Sequence, residues 1–182
     1  MTANSNDLAA LIKAIEEPIA PLEQWAPQSC GAIDIHITPD GVWHHHGSPI
    51  TRQRLVKLFA KVLCQEQGQY YLKTPVEKMA IQVDDAPLLV VDWRLAPASG
   101  AKPILVCTDN VGREFVLSTE HPLQCKEDPQ GQYLPYLKLP HGVEAKVSRG
   151  VFYAWAQDLI ETTQEGFVIY SGADSFSLGI TG

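Results

Sequence analysis

The sequence predicts an α+β protein made of two small sub-domains, built from repeated strand and hairpin motifs with few helices. Three observations lead there. Short runs of alternating apolar and polar residues, bounded by Gly, Pro, Asn and Asp, recur along most of the chain. Only two segments beyond residue 50 carry a helical apolar period. One strand motif is echoed: Gly68-Gln69-Tyr70-Tyr71-Leu72-Lys73-Thr74-Pro75-Val76-Glu77 returns as GQY, YLK, P and VE within Gly131–Glu144, with small insertions.

The elements follow in order. Leu8, Leu11, Ile12 and Ile15 have helical spacing after a polar Asn4-Ser5-Asn6 cap, and Pro18 stops that helix. A Pro-rich connection leads to a strand over Ala32–Thr38. Thr38-Pro39-Asp40-Gly41 fits a type I turn with a bulge, and Val42–His46 is the returning strand. Thr51–Gln65 reads as a helix with Leu55, Leu58, Phe59, Val62 and Leu63 on one arc. Gly68 ends it. Tyr70–Thr74, Met79–Val83 and Leu88–Arg94 read as strands. Ile104–Thr108 and Arg113–Ser118 form a hairpin around Asp109–Gly112, followed by strands at Tyr133–Leu139 and Glu144–Val147. Ser148 caps a second helix over Arg149–Thr163, with Val151, Phe152, Trp155 and Leu159 on one side and Tyr153 and Ile160 facing away. Phe167–Tyr170 and Ser175–Leu178 close the chain as a strand pair. The echo suggests a duplicated motif whose second copy lacks the basic helix. It divides the chain into sub-domains at 1–78 and 79–182.

Composition bounds the function. The chain has 182 residues, 45% hydrophobic and 19% charged, with a net charge of −7. That is a folded globular composition, and the acidic balance disfavours non-specific binding to nucleic acid. The average hides an asymmetry. Arg52–Lys78 holds six basic and two acidic residues, a local +4 against −11 for the rest. The four cysteines show no zinc-ribbon spacing. With no signal-like start and no membrane-length apolar run, the protein is expected to be cytoplasmic and reduced.

Two clusters carry candidate chemistry. The expected hairpin register pairs His36 with His44 and Asp34 with His46, and alternation puts all four on one face. Three imidazoles and a carboxylate there could hold Zn²⁺ and support a metal-dependent hydrolase. The plainer reading is the polar face of a half-buried hairpin, with His45 packed beside Trp43. The second cluster is basic. Arg54, Lys57 and Lys61 share the outer face of the first helix, whereas Arg52 falls on the apolar arc with Phe59 and Leu63. Ser48 and Thr51 would cap that helix, and Arg52 with Lys73 and Lys78 would then suit an anion. Alternatively, Arg52 pairs with Glu77 and simply locks the helix to the sheet. Asp84-Asp85 before Ala86-Pro87 reads as a strand exit.

The combination GVWHHHGSPITRQRLVKLF, GQYYLKTPVEK and IQVDDAPLL resembles the bacterial domain-of-unknown-function family 1285, over nearly the whole chain. The shared positions are Trp43, His45, Gly47, Ser48, Pro49, Ile50, Arg52, Tyr71, Thr74, Pro75, Glu77 and Lys78. The resemblance implies a two-part α+β protein of repeated motifs whose C-terminal part is loosely pleckstrin-homology-like. It implies no assigned enzyme activity, and a ligand-binding role in signalling at the junction of the two parts.

The resulting expectation is a non-catalytic module for a small anionic or nucleotide-like ligand. Its binding residues would be Ser48, Arg52, Tyr71, Lys73, Thr74, Glu77 and Lys78. No cofactor and no membrane association are expected. The alternatives are the histidine metal site and a protein-interaction module without a small ligand.

Overall fold

The computed structural model describes residues 22–98 and 102–179. The helix expected over Leu8–Ile15 lies outside them. The chain divides into two compact units, one running up to Pro87 and including Pro140–Val143, the other comprising the rest from Leu88 onward.

The first unit opens with a 3-10 turn, Leu22–Gln24. It continues with β1 (Ser29–Ile37), β2 (Trp43–His45), β3 (Ser48–Pro49), α1 (Gln53–Lys61), β4 (Leu63–Glu66), β5 (Gln69–Lys73) and β6 (Glu77–Val83). The six strands form one sheet in the order β3-β2-β1-β6-β5-β4. Two antiparallel meanders meet where β1 and β6 run parallel. The 38–41 turn forms as expected: Thr38 N–H donates to Val42 O (3.0 Å) and Gly41 N–H to Thr38 O (2.9 Å). His36 therefore stands opposite His44. Ile33, Ile35, Ile37 and Trp43 are buried on the other face, where Phe59 of α1 stacks on Trp43 with ring centroids 6.2 Å apart.

The second unit contains β7 (Leu88–Ala96), β8 (Ile104–Asp109), β9 (Glu114–Val116), β10 (Leu123–Glu127), β11 (Tyr133–Lys138) and β12 (Glu144–Val147). It then adds α2 (Arg149–Asp158), β13 (Glu161–Thr163), β14 (Gly166–Ser171) and β15 (Asp174–Ser177). Its large sheet runs β10-β11-β12-β7-β8-β9, again two meanders joined by a parallel pair, β12 with β7. This is the connectivity of the first sheet with α1 left out, so the sequence echo marks a repeated topology. Ser148 caps α2 as expected, its Oγ accepting from Val151 N–H at 3.4 Å. Trp155 is buried and α2 packs on β7. Tyr153, expected under a second cover, is 64% exposed. The three short strands β13–β15 form a separate sheet, tied to β8 by Leu105 N–H donating to Ser171 Oγ (3.0 Å).

Three boundaries differ from expectation. The expected division at 78/79 cuts through β6, which belongs to the first sheet by its parallel pairing with β1, so the unit ends at Pro87. The first helix stops at Lys61 instead of Gln65 because Leu63–Glu66 pair with Gln69–Leu72 as β4 and β5. The turn between them uses left-handed Gln67 (φ 52°) and Gly68 (φ 82°). The second helix ends at Asp158 because Glu161–Thr163 pair with Gly166–Val168.

Two glycines offer a direct comparison. Gly68 and Gly142 (φ 74°) both occupy the left-handed region. A Cβ at Gly68 meets nothing, whereas one at Gly142 would stand 3.0 Å from Gln65 O. Gly68→Ala is expected to cost about 1 kcal/mol from backbone strain alone, and Gly142→Ala about 2 kcal/mol or more because a backbone atom must also yield. Thermal denaturation of the two variants checks the order.

Candidate functional site

The histidine face assembles, and its groups then pair off. Asp34, His36, His44 and His46 share one side of the β1–β2 hairpin. His36 Nε2 lies 2.7 Å from Asp84 Oδ2, a residue at the exit of β6. His46 lies in the two-residue turn after β2, with φ 50°, and its Nδ1 is 3.1 Å from Asp34 Oδ2. The His36 and His44 rings are 6.1 Å apart, and His44 Nδ1 is buried without a hydrogen-bond partner. The hydrogen bond from His36, with one from Gln82, holds the Asp84 carboxyl below its ordinary range. Among the described residues, no three His, Cys, Asp or Glu groups converge on a point where an ion could sit. His45 lies opposite Ile35 on the Trp43 face, as expected, and burial and then the neighbouring His46 depress its basicity.

The expected anion-binding residues separate into four places. Tyr71, Lys73 and Lys78 come together on β5 and β6, around Glu66 of β4. Lys78 Nζ is 2.6 Å and Lys73 Nζ 3.5 Å from the Glu66 carboxylate, and Lys78 sits over the Tyr71 ring at 4.6 Å. Hydrogen bonding between the partners lowers Glu66 and raises Lys78 from their ordinary values. Thr74 and Glu77 build the β5–β6 turn. Thr74 is 1% exposed, and its Oγ1 accepts from Val76 and Glu77 N–H. Ser48 lies on edge strand β3 instead of capping the helix. Four strand spacings, about 19 Å, separate β3 from β5, so Ser48 and Lys73 do not share a compact ligand.

Arg52 departs furthest from expectation. It occupies the N-cap position with an extended backbone (φ −80°, ψ 99°), no side chain caps the helix, and Arg52 is exposed. It therefore lies outside the helix whose apolar arc it was placed on, and its pair with Glu77 does not form. What emerges instead is a basic helix. Gln53–Lys61 contains Arg54, Lys57 and Lys61, all exposed, and no acidic residue. Among the described residues, every lysine in a strand is ion-paired, as are Lys102 and the arginines at 94 and 113. Among the described residues Arg52, Lys57, Lys61 and Arg149 have no carboxylate partner, and three of these four cations lie on or beside α1.

Residues missed by the sequence reading are the carboxylates that consume the lysines. Glu66 has a counterpart in Glu144, 7% exposed, which takes Lys126 at 2.5 Å and also Lys138, with Lys126 over the Tyr136 ring at 4.3 Å. Each large sheet thus carries two lysines, one glutamate and one tyrosine across a three-stranded meander. Burial pushes the Cys107 thiol up to about 12 and Cys125 to about 11, so neither is a thiolate nucleophile at neutral pH. No helix among the described residues is long and apolar enough to cross a membrane.

Comparison with known proteins places this architecture. The N-terminal domain model of a domain of unknown function (DUF1285) matches residues 20–86, and the C-terminal domain model of the same family matches residues 87–178. The crystal structure of a DUF1285 family protein from Silicibacter pomeroyi is similar, with 38% identity, a TM-score of 0.83, and coverage of 93% of this chain and 92% of that one. A DUF1285 family protein from Shewanella baltica has 30% identity and a TM-score of 0.54, covering 68% of this chain and 90% of that one. No curated protein matches the chain.

Proposed function

This chain belongs to the DUF1285 family, and we propose that it acts as a non-catalytic binding module in signal transduction for a small anionic or nucleotide-like ligand. The observation that carries this reading is the helix α1. Its exposed surface holds Arg54, Lys57 and Lys61 with no acidic residue, and Arg52 stands at its N-terminal end. Lys73 and Lys78 contribute less than their sequence position suggested, because both already contact Glu66, which cancels one of their two charges. Lys57 and Lys61 are one helical turn apart, about 6 Å along the axis. Their long stems allow both ammonium groups to reach one polyphosphate, with Arg52 supplying a fork of donors.

The test is a calorimetric titration of the full chain with ATP and with inorganic pyrophosphate at two salt concentrations. Binding is expected to weaken with salt and to fall about tenfold or more in Lys57→Ala/Lys61→Ala. Both lysines are exposed, so that variant keeps the wild-type melting temperature. Unchanged affinity in the double variant, or no heat with either ligand, removes α1 as the anion site. A second reading, a protein-interaction module without a small ligand, is favoured by exposed Val91, Leu95 and Val116 on β7 and β9. A flat titration would bring it forward.

A further inference from the structure

The pairing of β1 with β6 breaks in the middle. Ala32 stands opposite Ala80 and His36 opposite Gln82, so four steps along β1 match two along β6. On its other side β1 remains in register, with Asp34 O accepting from His46 N–H at 3.2 Å and Ile35 opposite His45. The sheet therefore opens toward β6. A shift of this kind in a parallel pair bends the strand and re-aims its side chains. Here it accompanies a cleft of about 420 Å³, within the range of small-molecule sites. Ile33 and Asp34 line it from β1, Ile81 and Gln82 from β6, and Gln69 and Tyr70 from the start of β5. Ala32 and Ala80, on the same face of the sheet as Asp34 and Gln82, give it an apolar floor.

Its polar side chains offer mainly acceptors. Gln69 Nε2 donates to Tyr70 O (2.9 Å) and Ile81 O (2.8 Å), which uses both amide hydrogens. Gln82 Nε2 donates to Asp84 Oδ1 at 3.1 Å. Gln69 thus spends both donors on the protein and Gln82 one of its two, and both retain carbonyl oxygens as unused capacity. Asp34 adds a carboxylate, of which one oxygen meets His46 Nδ1. No lysine or arginine lines the cleft. An anion would find a carboxylate and acceptors there. A ligand that donates hydrogen bonds finds complementary groups.

We infer that this cleft is a second site, one for a small organic cation carrying an ammonium or guanidinium group. The charged group meets Asp34 and the Gln69 and Gln82 carbonyl oxygens, and the hydrocarbon part lies against Ala32 and Ala80. The charge preference is opposite to that of α1, so the two sites fail or succeed separately.

Calorimetric titration of the full chain with agmatine, which carries both cationic groups and no anionic one, tests the assignment. Glutarate is the anionic comparator. Agmatine is expected to bind more tightly than glutarate. Asp34→Asn is expected to weaken agmatine about tenfold or more, the loss of one charge-assisted hydrogen bond. Gln82→Leu should weaken it through the other wall, and Lys57→Ala/Lys61→Ala should leave it unchanged. Asp34 and Gln82 are exposed, so unliganded melting temperatures near wild type confirm that both variants fold. No heat at millimolar agmatine, equal binding of glutarate, or wild-type agmatine affinity in both cleft variants overturns the inference.

Discussion

Phe59→Ala is expected to lower the stability of the first unit by about 4 kcal/mol, while Trp43→Phe, at the ring it stacks on, costs less than about 1.5 kcal/mol. Phe59 is fully buried and Trp43 is 2% exposed, with the ring planes 16° apart. Phe59 is also the centre of the inward face of α1, beside Val56 and Ala60. Its truncation removes transfer energy and leaves a cavity in a site held by β-sheet backbone, which relaxes poorly. Trp43 differs because its indole N–H is buried without an acceptor. Phenylalanine there loses volume but also removes a donor that costs free energy to keep from water, so the two effects oppose. Denaturant unfolding followed by far-UV circular dichroism measures both. A chain of this size shifts its melting temperature by roughly 10 °C for the larger loss. If Trp43→Phe proved as damaging as Phe59→Ala, the indole donor would have to be satisfied after all. Because α1 carries Lys57 and Lys61, Phe59→Ala should also weaken ATP binding without touching a basic residue.

The hairpin and the repeat were legible in the sequence because their signals are local. Pro39, Asp40 and Gly41 dictate the turn, and the turn with strict alternation dictates that His36 faces His44. The recurrence of GQY and YLK marked two meanders of the same connectivity, and the absent second helix was visible as missing sequence. Helix ends were not legible. Val62, Leu63 and Cys64 continue an apolar run that suits a helix and a buried strand equally, and only pairing with β5 decides between them. That single error concealed the candidate site's main feature. With Leu63–Glu66 assigned to a helix, Glu66 had no reason to face Lys73 and Lys78, and both lysines seemed available to a ligand. Arg52 differs for a related reason: it lies one residue before the true N-terminus, where the backbone is no longer helical and the helical arc does not apply. The boundary at 78 was misplaced because the partner of β6 is β1, some forty-five residues earlier, and parallel pairing at that separation leaves no local mark.

The counterpart of Glu66 in the second sheet supplies the other large effect. Glu144→Gln is expected to cost about 2 kcal/mol at neutral pH and to flatten the acid limb of the stability curve. Burial alone would push the Glu144 carboxyl up, but hydrogen bonds and charge from Lys126 and Lys138 outweigh it and bring the group below its ordinary value of 4.5. A carboxyl depressed in the folded state binds its proton more readily when unfolded. Its stabilising contribution is therefore complete above the ordinary value and is lost as pH falls below 4.5 through the lower folded value. Glutamine cannot titrate, so the variant should lose less stability than wild type over that window and converge with it in acid. Removing one partner of a buried pair usually costs about 3–5 kcal/mol. Here the two lysine side chains are 40% and 38% exposed and regain water, which places the loss at about 2 kcal/mol. Glu66→Gln should show the same direction with a smaller loss, because the Glu66 side chain is 41% exposed. Denaturant unfolding from neutral pH down to about pH 3 compares the slopes. An acid slope in Glu144→Gln equal to that of wild type would mean that Glu144 shares its proton equilibrium with the unfolded chain, and that the two lysines merely pass over it.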